Sequence, residues 1–240
     1  MNKTKIGWTD STWNPCTGCS KISKGCLNCY AELFSIRLEA MGKPKYRDGF
    51  TLTQHPKSLQ EPYHWKKPKK IFVNSMSDLF HEKMPFDFIQ KVFKVMNENP
   101  QHTFQVLTKR ADVLEKYSPQ LTWTDNIWMG VTVESNEYYY RIDALRKTGA
   151  RIKFISCEPL LSSVDDMPLK DINWVIAGGE SGRGKKIRPM EEDWVKEIAR
   201  NCWIENVPFY FKQWGGKRRK ECSIDGEEIK EFPGMQCRYI

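Results

Sequence analysis

No stretch of about eighteen consecutive apolar residues occurs in this 240-residue chain, so no membrane-spanning helix is expected. No apolar segment follows Met1-Asn2-Lys3-Thr4-Lys5, so a secretory signal is not expected either. Internal repeats and low-complexity tracts are absent as well, which leaves one domain of ordinary size, or a barrel. A hydrophobic content of 40% and a charged content of 28% are those of a globular protein. Eight cysteines without an export signal imply reduced thiols and a cytoplasmic location. Net charge is also lacking over most of the chain: after residue 70 the acidic and basic residues balance at 25 each. Residues 1–70 hold thirteen Lys and Arg against five Asp and Glu, which is the whole excess of +8.

Four of the cysteines crowd into fourteen residues, Cys16, Cys19, Cys26 and Cys29, as two C-x-x-C pairs six residues apart. Gly18 and Gly25 each precede a cysteine, where a backbone without a Cβ can curl round an inorganic centre. Clustered thiolates are soft ligands that select zinc, copper(I) or iron–sulfur clusters, whereas inert thiols and disulfides are not usually bunched in a chain of this kind. A structural zinc would use all four sulfurs in a closed tetrahedron. An iron–sulfur cluster could use three and keep one iron open. Directly after Cys29, residues Tyr30 to Ala40 have helical periodicity, with Leu33, Ile36 and Ala40 on one face. A cysteine loop that runs into a helix and then a strand reads as the first loop of an α/β barrel.

The connection from about Gly42 to Lys70 interleaves lysines with prolines and flat rings, as in Lys43-Pro44-Lys45-Tyr46-Arg47 and Tyr63-His64-Trp65-Lys66-Lys67-Pro68-Lys69-Lys70. Such a composition suits a phosphate backbone with stackable bases, the plainer alternative being a solvated, solubilising loop. Beyond it, strand and helix alternate. Strands are expected at Ile71–Val73, Phe104–Leu107, Ile127–Val133, Ile152–Ser156, Trp174–Ala177 and Phe209–Phe211. Helices are expected at Phe86–Asn97, after Arg110 to about Tyr117, after Asn136 to about Thr148, and at Glu191–Asn201. About six or seven such units predict a parallel sheet with outer helices, closed as a partial (β/α) barrel. An open dinucleotide-binding sheet lacks its fingerprint here, because Gly178-Gly179-x-x-Gly182 lies late in the chain and is wrongly spaced. The barrel is expected over 1–216 and a tail, read as a hairpin, over 217–240. Function in barrels gathers at the carboxyl ends of the strands, where the chain has Ser75, Asp78, Lys109, Thr132, Glu134, Glu158, Glu180, Lys212 and Gln213.

Trp13-Asn14-Pro15, Gly18-Cys19, Ser23, Gly25-Cys26 and Cys29-Tyr30-Ala31-Glu32 resemble the opening motif of a phage and prophage family. It is usually called the gp-thirty-seven/gp-sixty-eight or "three-Cys-motif" family, and is regarded as radical S-adenosylmethionine (SAM)-like. The resemblance continues through Asn74-Ser75-Met76-Ser77-Asp78-Leu79-Phe80, Leu107-Thr108-Lys109-Arg110, Gly130-Val131-Thr132-Val133-Glu134, Cys157-Glu158-Pro159-Leu160, Gly178-Gly179-Glu180-Ser181-Gly182 and Phe211-Lys212-Gln213-Trp214-Gly215, almost the whole chain. The gap between Cys19 and Cys26 is six residues where the commonest radical SAM pattern has three, and Asn28 stands where an aromatic usually precedes the last cysteine. The resemblance implies a partial barrel of the radical SAM type. It implies a [4Fe–4S] cluster on Cys19, Cys26 and Cys29, with Cys16 auxiliary, and SAM on the open iron giving a deoxyadenosyl radical. By analogy Tyr30, Ser75, Asp78, Thr132, Glu134 and Arg141 would hold SAM, Ser75 at its amino group, Thr132 and Glu134 at its ribose and Arg141 at its carboxylate. Lys109, Glu158, Glu180, Lys212 and Gln213 would line the substrate side. Cys157 reads as a spare buried thiol ahead of a hydrogen donor. A nucleic acid or nucleoside is the expected substrate, with a peptide or small metabolite as the second possibility. A zinc-stabilised nucleic-acid-binding protein without catalysis is the third, and only that reading needs Cys16. An electron donor and a separately encoded three-Cys-motif partner protein are the implied partners.

Overall fold

The computed structural model describes residues 4, 6–181 and 186–237. Seven parallel strands form its main sheet: β1 (Ser11–Trp13), β4 (Lys70–Val73), β5 (Thr103–Thr108), β6 (Ile127–Thr132), β7 (Ile152–Cys157), β8 (Trp174–Ala177) and β9 (Phe209–Phe211). Their order in the sheet is their order in the chain. Crossovers between parallel strands are right-handed, so a sheet that never reverses direction carries all its helices on one face and curls away from them. The result is a half-barrel. The helices are α1 (Tyr30–Ala40), α2 (Phe86–Asn97), α3 (Ala111–Tyr117), α4 (Tyr140–Arg146) and α5 (Glu192–Ile204). A two-stranded antiparallel pair, β2 (Cys16–Thr17) with β3 (Thr53–Gln54), ties the start of the cysteine segment to the basic connection.

Two-residue alternation along the strands sorts the core into two layers. Ile71 and Val73, Phe104 and Val106, Met129 and Val131, Ile155, Val175, Phe209 and Phe211 face the helices and meet Phe88, Ile89, Val92, Leu145, Val195 and Ile198. Their neighbours Phe72, Phe154, Trp174, Ile176 and Tyr210 face the concave side with Trp8. Trp174 is the hub of that second layer. Its ring meets Trp8 (6.2 Å), Trp128 (6.0 Å), Phe154 (5.6 Å), Tyr210 (6.2 Å) and Phe232 (5.3 Å), and its Nε1 donates to the Glu231 carbonyl at 2.8 Å. The lower concave face is therefore plugged by aromatic rings.

Six strands and the four later helices lie where periodicity puts them. β1 has no such signal, since Ser11-Thr12-Trp13 carries a single apolar residue. Helix α1 has the expected bounds, but Leu33 and Ile36 are 62% and 53% exposed, and the residues it buries are Ala31 and Ser35. Its place against the sheet is already filled by α2 and the 3-10 turn Pro56–Gln60, onto whose Ser58 carbonyl Trp13 Nε1 donates at 2.8 Å. The tail turns tightly through an Ile224–Glu227 antiparallel bridge and then runs antiparallel beside Tyr210 at Lys230. Among the described residues no helix is long and apolar enough to cross a membrane.

At Gly130 in β6, a Cβ would lie 2.4 Å from the Phe154 ring, inside the concave packing. We expect Gly130→Ala to destabilise the protein by about 1–3 kcal/mol, the usual range for overpacking. Urea unfolding checks this, and a wild-type midpoint would show that the ring layer is loosely packed.

Candidate active site

The cysteine segment crosses the carboxyl end of the sheet and is tied to several strand ends. Asn74 N donates to the Trp13 carbonyl (2.8 Å) and Gly18 N to the Met76 carbonyl (2.9 Å), which fixes the segment to the end of β4. The Asn74 backbone is left-handed, with φ 60°, a conformation that asparagine enters more readily than other side-chain-bearing residues. Gly18, at φ 82°, has no space for a Cβ, which would lie 2.1 Å from the Thr51 carbonyl oxygen. At the far side Asn28 Nδ2 donates to Glu180 Oε2 at 2.9 Å, after β8. Arg188 clasps the same carboxylate, and its Nη1 donates to the Lys24 carbonyl at 3.0 Å. Burial pushes the Glu180 carboxyl up, but the Arg188 and Asn28 donors hold it below its ordinary range.

Two ionic networks anchor the middle of the segment. Glu134, just past β6, is fully buried. Its Oε1 accepts from Ser23 Oγ (2.5 Å) and Lys109 Nζ (2.5 Å), and its Oε2 from Arg141 Nη1 (2.7 Å). Desolvation raises the Glu134 carboxyl, yet the Lys109 and Arg141 charges bring it net below its ordinary value. A Cβ on Gly25 would lie 2.5 Å from Glu134 Oε1, so the loop rests directly on this carboxylate. In the second network Arg110, 4% exposed, donates to Asp78 Oδ2 (3.1 Å), Glu82 Oε2 (2.6 Å), Ser20 Oγ (2.8 Å) and Cys19 Sγ (3.4 Å). Asp78 also accepts from Thr108 Oγ1 (2.7 Å) and Lys109 N (3.1 Å).

The cysteines part company. Cys16 is 0% exposed and belongs to the apolar core, its Sγ 3.1 Å from Ser77 Oγ, and desolvation pushes its thiol up to about 12. Cys19, Cys26 and Cys29 stay partly exposed on the loop. Burial raises the Cys26 thiol, but the Lys109 charge and the Ser23 hydroxyl bring it net below its ordinary value. Among the described residues no three of His, Cys, Asp and Glu converge closely enough to hold a metal ion. The donor set nonetheless suits a soft metal centre: three partly exposed thiols on one loop, with a cationic donor at Cys19 and a hydroxyl at Cys26. Beneath the loop, buried polar atoms stand without protein partners, among them Asn74 Nδ2 and Ser156 Oγ. Buried polar groups are otherwise paired, so these two are open to a hydrogen bond with a ligand or a buried water.

The residues expected at the rim do gather there, with different duties. Glu158 Oε1 lies 3.1 Å from Lys212 Nζ, and a Cβ on Gly178 would meet both side chains. Thr132 pairs in register with Ser156 on the concave wall, and both are buried. Ser75 Oγ donates to Asn14 Oδ1 at 3.2 Å, and the Tyr30 hydroxyl donates to the Ser75 carbonyl. Three of the residues expected at SAM have protein partners in this structure. Arg141, 1% exposed, lies behind the wall and is engaged by Glu134 and the Thr132 carbonyl. Glu134 accepts from Ser23, Lys109 and Arg141, and Asp78 is bound into the Arg110 network. Gln213 donates to the Gly179 carbonyl at 2.8 Å, which holds two loops together. Cys157 faces the helix layer, with Sγ 3.9 Å from Met167 Sδ, and burial raises its thiol, so it is the spare buried cysteine. Gly182 lies outside the described residues. Sequence reasoning missed Ser23, Asn28, Arg110, Arg188 and Ser156. The first three lie inside or beside the quoted motifs, where their presence was the available signal, whereas Arg188 and Ser156 carried none.

A profile of the family described as "Protein of unknown function (DUF5131)" matches residues 3–233, and the chain belongs to that family. No curated protein matches it. Among solved structures it is similar to a spore photoproduct lyase complexed with dinucleoside spore photoproduct, at 11% identity and a TM-score of 0.46. That match covers 83% of this chain and 62% of the lyase, so the chain spans less than two thirds of the lyase's length.

The Glu134 clamp has a pH signature. A carboxylate whose folded value is depressed contributes stability above its ordinary value of 4.5, and that contribution is lost as pH falls through the folded value. Wild-type melting temperature should therefore drop below about pH 4.5, with a shallower acid limb in Glu134→Gln. At pH 7 the same variant should lose about 3–5 kcal/mol, because two cations are left without their buried partner. Thermal unfolding between pH 3 and 7 tests both. Superimposable curves would deny the clamp its structural role.

Proposed function

With membership of that family as premise, we propose that the chain is a radical SAM-type iron–sulfur enzyme that acts on a nucleic acid or nucleoside. The observation that carries this reading is the separation of the cysteines: Cys16 is withdrawn into the core, while Cys19, Cys26 and Cys29 stay on the loop above a polar, concave mouth. A closed zinc knot would need the fourth thiolate, whereas a cluster with an open iron needs three. Kinship with the phage three-Cys-motif family belongs to the same proposal.

In this reading Cys19, Cys26 and Cys29 hold a [4Fe–4S] cluster, with SAM in the mouth beside it. When bound, the pair supplies a deoxyadenosyl radical that removes a hydrogen atom from a substrate. The protein's own part is placement. Ser75, Thr132 and Ser156 offer hydroxyls, and Asn74 offers an unpaired amide, for SAM and substrate. Tyr30 closes the mouth on the β4 side through its bond to Ser75. Glu134, Arg141, Asp78 and Arg110 fix the loop, and so act on the reaction through the positions of the cysteines. Lys109, Lys212, Glu158 and Glu180 bound the substrate side, with Gln213 supporting them from behind. The aromatic layer around Trp174 excludes water from below. Reduction of the cluster calls for an electron-donor protein, and the separately encoded three-Cys-motif partner is a second protein to test alongside it.

Anaerobic reconstitution with iron and sulfide should yield a reduced-state electron paramagnetic resonance signal that shifts on adding SAM. Cys16→Ala should retain iron and sulfide, whereas Cys19→Ala, Cys26→Ala and Cys29→Ala should each lose most of both. One tight zinc, lost with Cys16, would instead identify a metal-knotted binding protein. A SAM-responsive cluster with no action on nucleic acids would move the substrate to a peptide or small metabolite.

A further inference from the structure

Beside the mouth, along the edge strand β1, lies a cavity of about 940 Å3. Its size is that of a small-molecule or nucleotide site. One wall is the stripe Tyr30, Phe34 and Leu38 on α1, four residues apart and so stacked on one helix face. Tyr46, Lys43 and Lys45 come from the 3-10 turn that follows α1 and its flank. The remaining wall sets the polar pair Asn14 and Ser75 beside apolar Ile6, Pro44 and Met76. Tyr30 and Phe34 are 46% and 47% exposed, so their rings are open to a partner. Leu33 and Ile36 lie on another face of α1 and do not line this cavity.

The polar wall is oriented. Asn14 Oδ1 accepts from both Ser75 Oγ (3.2 Å) and Met76 N (3.1 Å). Two donors on the oxygen fix the carboxamide, and its NH2 then has no partner among the described residues and is left to donate to an occupant. Lys45 Nζ lies 3.2 Å from Glu61 Oε1 in a pair whose side chains are 42% and 41% exposed, and such a pair is exchanged for a phosphate at little cost.

We propose that this cavity holds one unstacked nucleotide of a single-stranded nucleic acid. Its base lies against the Tyr30, Phe34 and Tyr46 rings, Asn14 donates to an acceptor on the base edge, and Lys43 and Lys45 meet the flanking phosphate. Flat rings with lysines at their rim are the recurrent platform for single strands, because every base has a π-face and every linkage a charge. Three rings line the cavity, together with the aliphatic and thioether side chains Leu38, Ile6 and Met76, a balance that suits a flat base better than a peptide's side chains. All these wall residues except Ser75 and Met76 lie within residues 1–70, which carry the chain's entire +8. The inference gives a substrate class to the enzyme proposed above, and rests on that reading only for the chemistry done at the adjacent mouth.

The test is fluorescence anisotropy of a labelled twelve-nucleotide strand with the reconstituted protein, in a salt series, using RNA, DNA and the corresponding duplex. Phe34→Ala and Tyr46→Ala should each weaken binding about tenfold, within the span known for loss of one base–aromatic stack, with the salt slope unchanged. Lys43→Gln and Lys45→Gln should each lower the slope of log affinity against log salt by about 0.7, the single-strand value per phosphate. The duplex should bind at least about tenfold weaker than either strand, since a stacked base is not available to the rings. The tighter of the two strands names the sugar. Phe34 is half-exposed, and an unchanged melting temperature will show that its variant folds. Wild-type affinity in a folded Phe34→Ala/Tyr46→Ala double variant would overturn the proposal, as would equal binding of the duplex. A SAM-responsive cluster with ring variants at wild-type affinity sinks the nucleotide pocket alone. Ring-dependent binding by a protein that takes up no cluster sinks the radical-enzyme reading alone.

Discussion

A parallel sheet laid down strictly in chain order can be covered by its own crossovers on one face only. That constraint decides what the rest of the chain must do. The concave face is left to segments from outside the strand–helix repeat, and the chain supplies them from both ends. Trp8 enters from before β1 and Phe232 from the tail, and both pack on the ring system centred on Trp174. The tail is therefore part of the barrel's interior, held by the Lys230 bridge to Tyr210 and by the Glu231 carbonyl on Trp174. Above the rings the same alternation brings Thr132 and Ser156 to the concave wall, and the cysteine loop closes over them. A mostly apolar floor, with Gln105 bonded to the Trp8 carbonyl as its buried polar member, and a polar mouth follow from one periodicity.

Holding a loop of glycines and cysteines over that mouth takes specific contacts, since the loop itself buries little. Glu134 provides them at the centre. Burying its carboxylate between Lys109 and Arg141 is not an efficient route to stability, because desolvation of three charges offsets most of their attraction. Apolar residues of similar volume would hold the sheet together as well. They would not present an oxygen to Ser23 and a surface against which Gly25 must lie. The ion network is best understood as a positional device, and the Arg110–Asp78 network repeats it on the other flank. There the guanidinium is planar and fully engaged, with Cys19 sulfur, Ser20 and two carboxylates as its acceptors. A lysine could not satisfy those directions at once.

The sheet was legible in the sequence because parallel strands buried on both faces read as short apolar runs between polar ends. Trp174–Ala177 and Phe209–Phe211 have the bounds expected of them. β1 was not legible, because it buries Ser11 and Trp13 and so shows a single apolar residue, and Ser11-Thr12 gives no signal. The helical period of α1 was legible, but its orientation was not. Leu33, Ile36 and Ala40 mark an apolar face only if a surface waits for it, and α2 and the Pro56–Gln60 turn occupy that place. At the site, the residue types at the carboxyl ends were visible, but not which would be consumed by each other. Arg141 and Glu134 both suit a charged ligand until the register across β6 and α4 sets them 2.7 Å apart. Pairings of that kind depend on three-dimensional neighbours far apart in the chain, such as Ser23 with Glu134, and no local pattern records them.

The same pairings shape the electrostatics of the face. At the mouth Lys109 is matched by Glu134, Lys212 by Glu158 and Arg188 by Glu180, so these rim cations are neutralised where they stand. On the flank Lys45 is likewise paired with Glu61, whereas Lys43 is exposed and has no ion pair among the described residues. Beyond about 8 Å at physiological ionic strength such charges are screened, so their pull is local to that flank. Under the proposed nucleic-acid reading, a polyanion would be drawn alongside the mouth and not into it. Its backbone has favourable partners outside, whereas the interior offers hydroxyls, an amide and rings, groups that suit a base and a sugar better than a phosphate. That division of charge between flank and mouth separates attraction from recognition. In the reading proposed above, it would let the protein grip a long strand while admitting one unit of it beside the cysteine loop.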